Sequence, residues 1–291
     1  MKLLYYISFA LWYLISLLPL WFLYLLSDFI YYILFYVVGY RRSIVKQNLA
    51  NSFPEKTAAE RLKIEKDFYT FLCEYFVESI KLLSIRKSTI RKRMVFTGIE
   101  EMASSMEEHP LCFIYLGHYG SWEWMGSLKL WLPEDIKFNH IYHPLHNKAM
   151  NQLFIYLRER FDSHSIPMKD TLRKILHYKE INQKTIVAFV ADQTPTRNSI
   201  HHWVDFLHQD TPVFTGAERI AKKVEASTFY GHITKIKRGY YQCDFRPMVI
   251  ETKGIPDFEI TDIYMDLLEK MIQEQPGIWL WSHRRWKRKR Q

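Results

Sequence analysis

The sequence predicts an α/β domain carried on an apolar N-terminal helix. Short apolar runs alternate with segments of helical periodicity through the C-terminal two-thirds. A stretch without charge, Leu3 to Ser27, precedes them. The composition, 48% hydrophobic and 24% charged over 291 residues, supplies a large core and excludes a disordered chain. Strands alternating with helices imply a mixed, largely parallel sheet flanked by helices on both faces.

Leu3 to Ser27 exceeds the roughly 20 residues a helix needs to cross about 30 Å of hydrocarbon, so it reads as a transmembrane helix. Pro19 is expected to kink it and Asp28 to end it; Phe29 to Tyr40 is too short to cross again and is assigned to the interface. Tyr5, Tyr6, Tyr31 and Tyr32 suit headgroup depth. A signal peptide fits poorly, because the apolar run is about twice the usual length and lacks a small-x-small cleavage site. Arg41, Arg42 and Lys46 follow the segment against Lys2 before it, which orients the remainder toward the cytoplasm. The expected organisation is a single-pass anchor over 1–40, one transmembrane helix plus an interfacial segment, and a cytosolic α/β domain over 41–291.

Within that domain, Ala58 to Leu83 repeats apolar residues at helical spacing. A basic cluster follows, Arg86, Lys87, Arg91, Lys92 and Arg93. Strands are expected at Leu111–Leu116, Lys137–Tyr142, Thr185–Ala191, Ala226–Ile233 and Tyr240–Ile250. Helices are expected near Ser121–Leu132, Asn147–Phe161 and Met168–Lys179. Asp192 to Thr211 reads as the one long loop, a length at which loops are often functional.

The net charge of +9 suits nucleic acid, an anionic membrane or an acidic protein. The apolar N-terminus selects the membrane over nucleic acid. Cys73, Cys112 and Cys243 are odd in number and widely spaced, which excludes a disulfide scaffold and suggests buried thiols. No CxxC or HExxH occurs, and His140, His143, His146, His201 and His202 do not share one face, so no metal site is expected.

The sharpest chemistry lies in LCFIYLGHYGSWEW, where a strand passes through Gly117, His118 and Gly120 into a helix with Ser121 as expected N-cap. On one continuous helix His118 and Glu123 would point about 140° apart. With His118 in the loop and Glu123 in the first turn, the imidazole can fold back on the carboxylate. A carboxylate on one ring nitrogen fixes the tautomer and leaves the other to take a proton from a hydroxyl. The site would then be a general-base dyad at the C-terminal end of a strand, where α/β proteins bind ligands. Ser121 is not expected to be a nucleophile, since no GxSxG elbow exists.

His118-x4-Glu123 resembles the dyad of glycerolipid-type acyltransferases, and the chain as a whole resembles the late lipid A biosynthesis acyltransferases, the lauroyl/myristoyl transferases of Gram-negative bacteria. The likeness covers the apolar N-terminus, Tyr40-Arg41-Arg42 to Asn48-Leu49, Ser52-Phe53-Pro54-Glu55, the dyad, Val190-Ala191-Asp192-Gln193 and Trp281-Ser282-His283-Arg284-Arg285-Trp286-Lys287. The resemblance implies a glycerolipid acyltransferase-like fold and acyl transfer from acyl carrier protein to a hydroxyl of a lipid A precursor, without metal or other cofactor. His118 would deprotonate the hydroxyl, which attacks the thioester directly, with Glu123 orienting the imidazole. An arginine downstream serves the family's site, and Leu157-Arg158-Glu159-Arg160 offers both Arg158 and Arg160. Asp192 and Gln193 would line the same cleft. It also implies a bacterial inner-membrane protein with its catalytic domain on the cytoplasmic face. A lysophospholipid or other amphiphilic acceptor is the alternative, although enzymes of that type usually carry HxxxxD.

The C-terminal run places His283, Arg284, Arg285 and Lys287 around Trp286, a pattern suited to anionic headgroups and, for arginine, to lipid A phosphates. The basic field also suits steering of an acidic acyl carrier protein. His143 stands where relatives often carry arginine, and Gln209-Asp210-Thr211-Pro212 replaces a glycine-containing step.

Overall fold

A computed structural model describes residues 2–290. The apolar N-terminus forms α1 (Lys2–Leu17) and α2 (Leu20–Tyr32), the latter continued by a π-helical stretch, Ile33–Val38. Pro19 lacks the N–H that would continue the first helix and breaks the chain rather than kinking it. The helix long and apolar enough to cross a membrane is therefore Leu20–Val38, displaced from the expected Leu3–Ser27. Asp28 does not end it, because Arg238 bonds its carboxylate (Nη1 to Oδ2, 3.0 Å) inside the helix.

Next come α3 (Arg42–Ser52) and α4 (Ala58–Lys81), the latter opened by a capping box between Thr57 and Glu60. The basic cluster lies on α5 (Lys87–Arg93), which leads into β1 (Met94–Thr97) and α6 (Ile99–Ser104). The expected strands are found as β2 (Leu111–Leu116), β3 (Lys137–Tyr142), β5 (Thr185–Val190), β8 (Ser227–Lys237) and β9 (Tyr240–Val249). The short β4 (His164–Pro167) lies between β3 and β5 in sequence. The expected helices appear as α7 (Lys148–Glu159) and α8 (Thr171–Glu180); Trp122–Leu130 is a 3-10 helix. The hydroxyl of Ser121 does not cap that helix; the residue is buried instead.

The polar stretch expected as one loop holds a hairpin, β6 (Trp203–Phe206) and β7 (Gln209–Pro212), turning through Leu207 and His208, both at positive φ. Two further helices, α9 (Gly216–Val224) and α10 (Glu259–Glu274), complete the domain.

The seven-stranded sheet runs β1-β9-β8-β2-β5-β3-β4. The strands β8, β2, β5, β3 and β4 are parallel, while β9 is antiparallel to β8 and β1 follows β9. Every residue of β2 is buried, as helices on both faces require. The parallel strands direct their C-terminal ends to one edge. There Leu116 pairs in register with Val190, so the residues two beyond each strand, His118 and Asp192, emerge side by side.

Helix α3 is locked to the C-terminal segment. The Asn48 amide donates to the carbonyls of Trp281 (2.9 Å) and His283 (3.0 Å), and Arg41 Nη1 donates to Ser282 (3.1 Å).

Candidate active site

At the strand edge the His118 imidazole meets a carboxylate, but that of Asp192 rather than Glu123. Nδ1 lies 2.6 Å from Oδ1 of Asp192, and the His118 backbone N–H donates to Oδ2 at 2.8 Å. The Trp279 indole N–H also donates to Oδ2, at 2.8 Å. Gly117 permits this approach, since a Cβ there would lie 2.8 Å from the Leu268 side chain and 3.4 Å from Oδ2 of Asp192. Burial raises the Asp192 carboxyl, but the imidazole beside it and the three donors outweigh burial and hold it down at about 2. An ionised Asp192 makes Nδ1 the protonated nitrogen and leaves Nε2 as acceptor. The Gln193 amide nitrogen stands 3.2 Å from that Nε2. Asp192 is 2% exposed whereas His118 is 21% exposed, so the carboxylate is sealed behind an imidazole that reaches solvent.

Glu123 sits in the first turn of the 3-10 helix, as expected, but its partner is Arg158. Nε donates to Oε2 at 2.7 Å and Nη2 to Oε1 at 2.6 Å, a bidentate clasp that leaves Nη1 outside the pair. Burial raises the Glu123 carboxyl, yet the guanidinium outweighs it and keeps the carboxyl below its usual range. Gly126 brings the two elements together: a Cβ there would lie 2.8 Å from the Arg158 carbonyl. The Tyr75 hydroxyl donates to Oε1 of Glu123 at 3.4 Å, and the Tyr75 ring stacks on Trp122 at 3.9 Å. Trp122 in turn presents its indole edge-on to His118 at 5.3 Å, so one aromatic wall joins the imidazole to the ion pair. His140 lies behind this pair, where burial and the Arg158 charge push its imidazole down to about 3.

The other expected residues separate. Of the two candidate arginines, Arg160 donates to the carbonyls of Leu82 and Ile85 (2.7 Å to the latter), closing the end of α4 away from the clasp. His283 borders the site, its Nε2 accepting from the Thr194 N–H at 3.4 Å; burial pushes it down to about 4. Arg284 and Lys287 are exposed. Arg285, expected on the surface with them, is 0% exposed. Its three guanidinium nitrogens have no hydrogen-bond partner among the described residues, and burial lowers it to about 10 against the pull of Asp192. Trp286 is likewise drawn inward, donating to Thr211 Oγ1 at 2.7 Å. Of the scattered histidines, His140 pairs with Ser165 (2.7 Å) and His202 with Asp262 (2.7 Å). Among the described residues none joins a cluster of three or more metal-ligating side chains.

Sequence reasoning missed Tyr75 and Trp279, and it gave Asp192 only a place in the cleft wall. Asp192 could have been paired with His118 had the adjacency of β2 and β5 been known, since both residues stand at equal distance past aligned strands.

A helix-flanked, largely parallel sheet with an imidazole–carboxylate pair at its strand ends has the architecture of α/β proteins that bind ligands at that edge, and an imidazole so held is chemically able to accept a proton. The chain matches the family model of the bacterial lipid A biosynthesis acyltransferases over residues 1–288, and it belongs to that family. It is an acyltransferase of lipid A biosynthesis. A search of curated proteins returned no match to the chain.

Proposed function

We propose that this acyltransferase moves a fatty acyl chain from an acyl carrier protein thioester to a hydroxyl of a lipid A precursor, with His118 as general base. Nε2 of His118 takes the hydroxyl proton while the alkoxide oxygen attacks the thioester carbonyl directly. The tetrahedral intermediate collapses as the C–S bond breaks, and the imidazolium returns its proton to the leaving thiolate. Asp192 holds the tautomer and offsets the imidazolium charge. Glu123 acts at one remove from His118, fixing Arg158 so that its free Nη1 faces developing negative charge. Gln193 supplies a second donor beside Nε2. The exposed Arg284 and Lys287 suit the phosphates of the acceptor. The basic surface suits an acidic carrier protein, and Arg41, Arg42 and Lys46 beside the apolar helices fit a domain held at the anionic cytoplasmic face of a bacterial inner membrane.

The observation that carries this reading is the 2.6 Å bond between His118 Nδ1 and the buried Asp192, which leaves Nε2 on the accessible side. Mass spectrometry of lipid A from cells lacking the gene tests it. Loss of one acyl unit, restored by the wild-type gene and not by His118→Ala, is the expected result. Unchanged lipid A with an altered phospholipid profile would transfer the reading to a lysophospholipid acceptor.

A further inference from the structure

From the packing of its apolar helices, we infer that this chain is held in one leaflet, α1 and the Leu20–Val38 helix lying in the plane of an anionic membrane surface instead of crossing it.

The 19 residues of Leu20–Val38 would reach about 28 Å, enough to span the hydrocarbon. A spanning helix must be free of its soluble domain along that length. This one is gripped from end to end. Just before it, the Leu18 carbonyl accepts from Lys81 Nζ at 2.9 Å. The Tyr24 hydroxyl donates to Glu78 at 3.0 Å, and Asp28 accepts from Arg238. Phe35 packs edge-on against Tyr69 at 5.4 Å, and beyond the helix Arg42 Nε donates to Glu65 at 2.8 Å. The partners Lys81, Glu78, Tyr69 and Glu65 run in descending order, so the helix lies antiparallel along α4. Arg238 belongs to the tip of the β8–β9 hairpin, where its Nε also faces Glu74 at 2.7 Å.

If Leu20–Val38 crossed the bilayer, α4 and that hairpin tip would have to cross with it. Glu65, Glu74, Glu78, Lys81 and Arg238 would then sit at hydrocarbon depth, which charged side chains resist. The hairpin would also carry strand ends into lipid, where unpaired backbone groups are excluded. An in-plane position has neither cost. One side of the helix pair is buried on the domain, through Ser16, Leu23, Ser27 and Phe35; the other exposes Leu11, Leu14, Trp21, Leu25, Phe29 and Val37, all apolar. That is the division of an interfacial helix.

The rim of this face identifies the surface it meets. Arg93 Nη1 donates to the Gly239 carbonyl at 3.0 Å, immediately beside Tyr24; Lys237, two residues before Gly239, is exposed, as are Arg91 and Lys92, which precede Arg93 on α5. Cations bordering an apolar helix match anionic headgroups at the level of the acyl boundary.

The arrangement also bears on the transferase reading. Trp12 of α1 packs edge-on against Phe154 at 5.9 Å, and Arg158, one turn further along α7, holds Glu123. The catalytic edge thus opens next to the embedded helices, where an amphiphilic acceptor can present its hydroxyl without leaving the leaflet.

Topology is tested by appending a short polar peptide carrying one cysteine before Met1 and labelling with a membrane-impermeant maleimide; the native cysteines are all buried. Labelling in inside-out vesicles but not in intact spheroplasts is expected, and labelling in spheroplasts overturns the inference. Depth is tested on the full chain in phosphatidylglycerol/phosphatidylethanolamine vesicles, with spin labels at the exposed positions W21C, L25C, F29C and V37C. One shallow depth at all four supports the in-plane position; depth that rises to the bilayer centre and falls again overturns it. Neither readout depends on catalysis, so either can fail while acyl transfer stands.

Discussion

Replacing Asp192 by asparagine keeps the shape of the side chain and removes its charge, which separates orientation of His118 from packing. Three donors converge on the Asp192 carboxylate from His118 Nδ1, the His118 backbone and the Trp279 indole. Its buried carboxyl is lowered from about 3.8 to about 2, which corresponds to about 2 kcal/mol of native-state stabilisation. A loss of that size lowers the melting temperature of a domain this large by about 4–8 °C. The catalytic effect is larger and has a different origin. Asparagine can donate as well as accept, so it can present N–H to Nδ1 and leave the proton on Nε2, where no base remains. We expect turnover to fall by about 10²–10⁴-fold, the usual contribution of a positioned general base. The assay is single-turnover transfer of a labelled acyl chain from a thioester donor to the lipid acceptor, with binding of both substrates measured separately. A variant that melts 4–8 °C lower yet transfers within threefold of the wild type would refute the assignment of Asp192 as the orienting carboxylate.

His118→Ala should lose about 10²–10⁴-fold in transfer with an unchanged circular dichroism spectrum, since the imidazole is partly exposed at the sheet edge. Glu123→Gln leaves the half-buried Arg158 guanidinium opposite a neutral amide, a change expected to cost about 1–3 kcal/mol; chemical denaturation should show it, and Arg158→Met in the same chain should restore part of the loss. Arg284→Ala should raise the apparent KM for a phosphorylated acceptor at constant kcat, whereas Arg285→Met should leave KM unchanged because that guanidinium has no path to solvent; steady-state kinetics decide. Acidification should destabilise the protein in two stages. Unfolded histidine takes up a proton near 6.5 but His283 and His140 in the fold only near 4 and 3, so stability falls as pH drops from about 6.5 to 3, and the contribution of Asp192 goes as pH falls from about 3.8 through 2. A melting temperature flat from pH 7 to 4 would contradict the burial of the two imidazoles.

Local pattern carried much of the architecture. Leu111–Leu116 was readable to the residue, because a strand buried on both faces must be apolar throughout and Pro110 and Gly117 bound it; Lys137–Tyr142 was also read to the residue although its faces are only partly buried. The helix of α4 was readable from its periodicity. The same reasoning placed His118 in a loop and Glu123 in the first turn that follows. It did not separate Leu18-Pro19 as a break, and it missed β1, β4, β6 and β7, whose four-residue lengths leave too few alternations to detect.

Which charges meet was beyond the reach of local pattern. Spacing alone suggested that His118 would bond Glu123, five residues away, yet the imidazole chose a carboxylate 74 positions on. Strand order explains this: β2 and β5 are neighbours although β3 and β4 intervene in the chain, and sequence does not record which strands lie together. Arg158 was distinguishable from Arg160 only once α7 had docked against the 3-10 helix. Arg285, one of a run of cations, is buried while Arg284 beside it is exposed, because a chain locked at Asn48 and Thr194 turns successive side chains to opposite sides. Residue chemistry fixed which groups could act; packing of distant segments fixed which of them share a site.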